Sequence, residues 1–545
     1  MSILDKASLI QIPSGYKSTK LYSLRPSNGT GDFTFSRSSS GTRVNSEGLI
    51  ETASVLGNEL VVNGDFASDT DWTKGTGVTI ANGVATSDGS GSNYGNIVTQ
   101  DTNVSFANKK VKIKFDVLNY VSGKMRVSPG NSSATSHVQA NGSYEFIVDV
   151  GVGNDIIYFI NYQTPFVGSI DNVSVKEVIE NDVPRLDYSD ASCASLLLEG
   201  QSTNLVTYSE SFDNSYWTKS GASVTSGFTS PDGTNNAYKL VEGTNNGTHY
   251  LEKLLGSADG NTNTVSLFAK KSERNHITIY CGGNSADSST FNLNNGTSVD
   301  NGTSTSKIEL ISNGWYRCSV TSINKNKYIY IMPNNGESDV YTGDGTSGVY
   351  IYGAQLEQGS YPTSYIPSNS GSQTTRSADS ATGAGTSDTF NDSEGVLFAE
   401  ISRQKGSVLT TALSINNGSL ANSVNFYYYS TNVLYFDIFS GVTTVSGNVN
   451  IDTSILNKIA LKYKSGDISL YANGLKLITN TNAISLSGLN ELDFNFGAGN
   501  QPFYGKCKQL MTFNEALSDE ELSDLTGQAN LSFNNLATFY NYTIL

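Results

Sequence analysis

The chain has 545 residues, of which 15% are charged and 37% hydrophobic, with 53 glycines and 30 tyrosines. A formal charge of −16 with no dense Lys/Arg cluster argues against nucleic acid as a partner, and the lack of a long apolar run argues against membrane insertion. The length exceeds what one hydrophobic core serves and predicts three or four domains.

Asn-Gly pairs recur at Asn63-Gly64, Asn82-Gly83, Asn141-Gly142, Asn295-Gly296, Asn417-Gly418 and Asn473-Gly474. Both residues tolerate the positive φ of tight hairpins, so the expected fold class is all-β, built of antiparallel strands. The amino terminus "MSILDKASLIQIPSG" carries Asp5 and no apolar core of signal-peptide length, which predicts synthesis in a cytosol without an export signal. Four scattered cysteines, Cys193, Cys281, Cys318 and Cys507, lack the close spacing of a metal or redox centre and read as free thiols.

Further along, "FTFSRSSSGTRVNSEGLIETA" (33–53) is followed by "NELVVNGDFASDTDWTKG" (58–75), and the second phrase returns in altered form as "NLVTYSESFDNSYWTKSG" (204–221). Each copy leads through a polar turn to a Phe (Phe66, Phe212) and a Trp (Trp72, Trp217) before Thr-Lys. After the first copy, "KVKIKFDVLNYV" and "YEFIVDVG" alternate with period two up to "FVGSIDNVSVKEV"; after the second, "NTVSLFAKKS", "HITIYCGG", "GWYRCSV" and "KYIYIMP" do so up to "SGVYIYGAQLEQG". Two β-sandwiches of similar plan are predicted, over 55–180 and 204–367. A stretch rich in Ser, Thr and Gly over 368–386 reads as a linker, and alternation resumes at "GVLFAEISR" to define a last domain over 387–545. That domain contains the one helix expected with clarity: Ser518 to Glu521 fits a capping box, Leu522 and Leu525 supply an apolar side, and Gly527 ends it.

The phrases "NGDF…W" and "IDNVSV" resemble the ends of carbohydrate-binding modules with a β-jelly-roll fold, over about 120 residues. The second copy replaces "NGDF" by "SESF" and "IDNV" by "YGAQLE", so for it the resemblance bears on fold more than on sugar binding. The last segment, through "NKIALKYKSGDISLYANGLKL" and the helix, resembles a concanavalin A-like or laminin-G-like lectin sandwich, with Tyr471-Ala472-Asn473-Gly474 as its signature. The passage 33–53 joined to "NDVPRLDYSDASCASLLLEGQSTNLVTYSE" (181–210) is similar to one found in bacteriophage fibre, spike and other virion appendage proteins, where little separates its halves. Here the first jelly roll is read as inserted between the halves 31–54 and 181–203, which is cheap when a domain's termini lie close together.

These resemblances imply a virion protein that attaches to host-surface glycans and to other virion proteins, with residues 1–30 as a candidate virion-attachment segment. They imply a homo-oligomer, a trimer by likeness to fibres, although no heptad repeat specifies the number. Jelly-roll sugar modules carry a structural calcium, and Asp65 and Asp171 match the relevant ends; the alternative, Asp65 ending a turn and Asp171 facing solvent, stays open.

Three histidines, no HExxH and no GxSxG leave little for nucleophilic or zinc catalysis. "GDGTSG" (343–348) matches a phosphate-cradling pattern but precedes a strand, so it reads as a hairpin turn. Sugar binding needs an aromatic ring beside amides and carboxylates, and in "VNFYYYSTNVLYFDIF" alternation sets Tyr427 and Tyr429 on the face opposite Phe426 and Tyr428. Tyr427 and Tyr429 are therefore the candidate carbohydrate contacts. A polysaccharide hydrolase or lyase and a purely structural head or tail decoration remain the competing functions, the first because 50 acidic residues offer many carboxylate pairs.

Overall fold

The computed structural model describes residues 2–527 apart from 132–133, 190–192, 259, 283–286, 324–326, 405–410, 430–431, 442 and 498. It is built almost wholly of antiparallel strands, arranged as β-sandwiches, with two helices among the described residues. The chain divides into two compact units, one made of Met1–Ala53 with Asn181–Leu545 and the other of Ser54–Glu180, which interrupts the first in sequence.

The interrupting unit is one jelly roll. A six-stranded sheet is centred on Lys109–Ser122 and Val167–Ile179, and a four-stranded sheet on Ile156–Asn161. In Lys109–Ser122 the inward residues Val111, Ile113, Phe115 and Val117 are fully buried while lysines alternate with them, as half-buried strands require. The ends of the module meet through backbone: Val173 donates its N–H to the Gly64 carbonyl at 2.8 Å. A methyl group on Gly64 would lie 2.0 Å from the Val173 carbonyl oxygen, so only glycine permits this approach. Gly64→Ala is expected to destabilise this unit by about 1–3 kcal/mol. The check is a lower urea midpoint for its transition, with that of the other unit unchanged.

The discontinuous unit holds two sandwiches. The first pairs two six-stranded sheets, one containing Tyr250–Gly256, Lys327–Asn334 and His276–Cys281, the other Gly348–Gln358, Thr262–Lys271 and Trp315–Ile323. The second sets an eight-stranded sheet, built around Glu394–Arg403 and Gly505–Phe513, against five strands that include Asn422–Tyr428 and Val433–Ser440. Its core buries Phe426, Tyr428, Leu434, Phe436 and Ile438 completely. All four cysteines are free, and all but Cys193 are buried.

The helix Asp519–Gly527 is capped reciprocally: Ser518 Oγ accepts from the Glu521 N–H at 3.2 Å, and the Glu521 carboxylate accepts from the Ser518 N–H at 3.0 Å. It clamps the Asn473-Gly474 turn, because Ser523 donates to the Gly474 carbonyl at 2.8 Å and Thr526 accepts from the Gly474 N–H at 3.1 Å. A second helix, Ile3–Lys6, was not expected and spans a single turn.

Two expectations are corrected. Residues 1–30, in which no strand was expected, contribute the strand Ala7–Gln11, which pairs with Gly505–Phe513 and buries Leu9 and Ile10 completely. Four of its five residues are buried, so no period-two alternation marks it. The stretch 368–386, read as a linker, supplies two strands: Thr374–Arg376 pairs with Ser202–Asn204, and Ser380–Thr382 with Phe33–Ser36. Ala381 and Ala384 enter the hydrophobic core, and buried charge holds the rest.

That charge forms a buried hub. Asp379 accepts from Arg37 at 3.1 Å and from Arg185, and Glu199 accepts from Arg185 at 2.6 Å and from Arg376 at 2.5 Å. None of these five side chains is more than 2% exposed. Ser364 donates its Oγ–H to Glu199 at 2.7 Å, and the Glu199 N–H reaches Asp379 at 2.7 Å. Arg37, Arg185 and Glu199 all belong to the split passage, so its two halves meet here around a shared pair of carboxylates.

Candidate functional site

In the last sandwich, Tyr427 and Tyr435 are cross-strand partners whose rings stack at 5.4 Å with 17° between planes. Phe496 stands edge-on to Tyr427 at 4.8 Å, and Tyr429 edge-on to Tyr435 at 5.5 Å. The Tyr427 hydroxyl donates to Asp437 at 2.7 Å, which fixes the ring. Burial, then the Asp437 carboxylate, pushes the Tyr427 phenol upward, so it stays a donor through neutral pH. The two predicted contacts thus differ: Tyr427 is half-buried and clamped, whereas Tyr429 is 52% exposed and presents its ring to solvent.

A second aromatic face lies on the preceding sandwich. Tyr250, Tyr280, Tyr328 and Tyr330 alternate with Leu251, Ile279, Ile329 and Ile331, which fill the core. Register brings them together: Tyr330 pairs with Tyr280 on one side and Glu252 on the other. Tyr328 and Tyr330 stack at 4.6 Å, while Tyr250 and Tyr280 approach the Tyr330 ring at 5.2 and 5.7 Å with steep interplanar angles. Carboxylates again hold hydroxyls, Glu252 that of Tyr328 and Asp339 that of Tyr280, each at 2.7 Å. The phrase "KYIYIMP" contained half of this signal, two tyrosines at period two with isoleucines between them. Tyr250 and Tyr280 join only through strand order.

Asp65 and Asp171 occupy the two ends of the module in the interrupting unit. Asp65 is exposed and accepts from the Ala67 N–H at 3.4 Å, while Asp171 accepts from the Asn172 N–H at 2.6 Å. Among the described residues no group of three or more His, Cys, Asp or Glu side chains is placed to hold a metal ion. Asp65 is thus engaged by a turn N–H group and Asp171 by that of the next residue of its own strand.

No protein-family model and no curated protein matches the chain. Solved structures similar to part of it include the CBM40 of the Ruminococcus gnavus IT-sialidase bound to α2,3-sialyllactose, at 20% identity and a TM-score of 0.23, over 25% of this chain and 84% of that one. A leech intramolecular trans-sialidase is 20% identical with a TM-score of 0.23, over 26% of this chain and 24% of that one. Domain 4 of AbnA, a GH43 extracellular arabinanase from Geobacillus stearothermophilus in complex with arabinotriose, is 15% identical with a TM-score of 0.23, over 27% and 73% of the two chains. At such identities and scores these proteins' ligands do not transfer to this chain.

Proposed function

We propose that this protein is an adhesive, glycan-binding component of a bacteriophage virion appendage, holding host-surface carbohydrate on its tyrosine faces. The observation that carries the glycan reading is the pair of tyrosine clusters with carboxylate-held hydroxyls, one on each sandwich of the discontinuous unit. Pyranose rings offer apolar C–H faces to aromatic rings and hydroxyls to carboxylates, so such a surface suits sugars without demanding one sequence of them. Two weak sites on one chain gain by avidity on a repeating polysaccharide. The virion assignment rests on the resemblance of the split passage, whose Arg37, Arg185 and Glu199 are three of the hub's five charged residues.

A hydrolase is the second reading, because Glu491 and Asp493 lie on the same side of one strand. Burial raises both carboxyls, and the Asp493 charge raises that of Glu491 further. Against it, Asp493 is 4% exposed and engaged by the Asn416 amide at 2.9 Å and the Gly383 N–H at 2.7 Å.

The test is retention on an array of host-surface polysaccharides with new reducing ends measured in the same wells. Retention without cleavage is expected, with Tyr429→Ala and Tyr330→Ala each weakening it about 10-fold, or about 1.4 kcal/mol, and the double variant abolishing it. Cleavage replaces the adhesin by a depolymerase, and neither retention nor cleavage across the array leaves a structural appendage.

A further inference from the structure

Within the discontinuous unit a cavity of about 460 Å³ is bounded by the strands Thr305–Leu310 and Trp315–Ile323, the 360–365 segment and the end of Glu394–Arg403. Its volume lies in the range of small-ligand sites. Five cations line it, Arg43, Lys307, Arg317, Arg403 and Lys506, against three carboxylates, Asp187, Glu199 and Glu309. The surplus stands out in a chain whose formal charge is −16.

Most of these charges are committed. Asp187 is paired with Lys506 at 2.9 Å, Glu199 with Arg185 at 2.6 Å, Glu309 with Lys307, and Arg43 with Glu51 at 2.8 Å. Arg317 differs: it forms no ion pair among the described residues. Its guanidinium lies over the Phe268 ring at 5.4 Å and donates one hydrogen bond, to Ser266 Oγ at 3.1 Å. Its Nε is shut off from solvent with no hydrogen-bond partner. Burial lowers the Arg317 pKa and outweighs the opposing charges of Glu357, Glu309 and Glu199. Ser319, Thr321 and Tyr361 line the same space with hydroxyls.

We propose that this cavity binds one carboxylate-bearing sugar residue, of the hexuronate class, with its carboxylate against Arg317 and its hydroxyls among Ser319, Thr321 and Tyr361. A guanidinium presents a planar fork that matches the two oxygens of a carboxylate, and partial shielding from water strengthens the pairing. The proposal rests on the glycan-binding reading and adds a site, and a charge preference, that the tyrosine faces lack.

The full chain is titrated by calorimetry with a hexuronate trisaccharide, the neutral hexose trisaccharide of the same linkage, and glucose 6-phosphate. The expected result is at least 10-fold tighter binding of the uronate than of the neutral sugar. Arg317→Gln removes that preference and Arg317→Lys weakens it. Ser454→Tyr, on an exposed loop lining the cavity, obstructs the site without altering a charged residue, giving up only the Ser454 hydroxyl's bond to Asp452 at 2.6 Å, and is expected to lower uronate binding even if Arg317→Gln fails to fold. Equal affinity for the two trisaccharides, or a preference that survives both Arg317→Gln and Ser454→Tyr, overturns the site. Tighter binding of glucose 6-phosphate than of the uronate overturns the carboxylate assignment. If neutral glycans bind the tyrosine faces while the cavity variants change nothing, this proposal falls alone; if no saccharide of either charge binds, the glycan reading falls with it.

Discussion

Glu199→Gln is expected to destabilise the discontinuous unit by about 3–5 kcal/mol, the cost of leaving buried charge uncompensated. Three guanidiniums, Arg37, Arg185 and Arg376, share two carboxylates, so the hub already carries a net positive charge out of contact with water. Removing one negative charge leaves three cations on Asp379. Arg185→Met is expected to cost less, because it leaves Arg37 with Asp379 and Arg376 with Glu199, two balanced pairs. This ordering follows from charge counting; if lost packing dominated, the larger truncation would cost more.

The pH dependence carries the same sign. Burial by itself raises the Glu199 carboxyl, but the Arg376 and Arg185 guanidiniums outweigh it and hold the group far below the usual carboxylate range. A carboxyl depressed in the folded state adds stability that is complete above its unfolded pKa, about 4.3, and is lost as the pH falls toward the folded value. The urea midpoint of the unit is therefore expected to hold from pH 7 to about pH 5 and to drop as the pH is lowered from about 5 to about 2, and to drop less in Glu199→Gln. An equal drop in both proteins assigns the acid sensitivity to other carboxylates.

Local rules were legible wherever one strand or one turn decided the outcome. The capping box at Ser518, the alternation of Phe426 and Tyr428 against Tyr427 and Tyr429, and the strand after "GDGTSG" all depend on residues within a few positions of one another. What escaped depends on distant partners. Arg37 meets Asp379 across 342 positions, which is why a stretch poor in apolar residues passed for a linker. Ala7–Gln11 is buried on both faces and so shows no alternation. The face around Tyr330 needs the strand order of a whole sheet before Tyr250 and Tyr280 become its neighbours.

The repeated phrase makes the second large prediction. In both copies the indole N–H donates to a carbonyl nine residues back, Trp72 to Asn63 and Trp217 to Tyr208, each at 2.9 Å. In both, the indole packs against the copy's Phe, at 5.2 Å with 42° between planes in one and at 5.4 Å with 38° in the other. The phrase therefore encodes one local clamp, which ties the incoming chain to the first strands of a sandwich and buries Trp72 and Trp217 to 6% and 2% exposure. Trp72→Ala and Trp217→Ala are each expected to cost about 3–5 kcal/mol, from lost transfer energy and the cavity left behind. Trp→Phe at either site retains most of the packing and loses the hydrogen bond, for about 1 kcal/mol beyond the volume change. Hydrogen exchange in urea resolves the two units: Trp72→Ala should release protection in Ser54–Glu180 alone, and Trp217→Ala only in the other unit. A clamp that serves only its own sandwich can stand once in each unit without either copy depending on the other. Loss of protection in both units from either variant would mean that the repeat is not a self-sufficient folding signature.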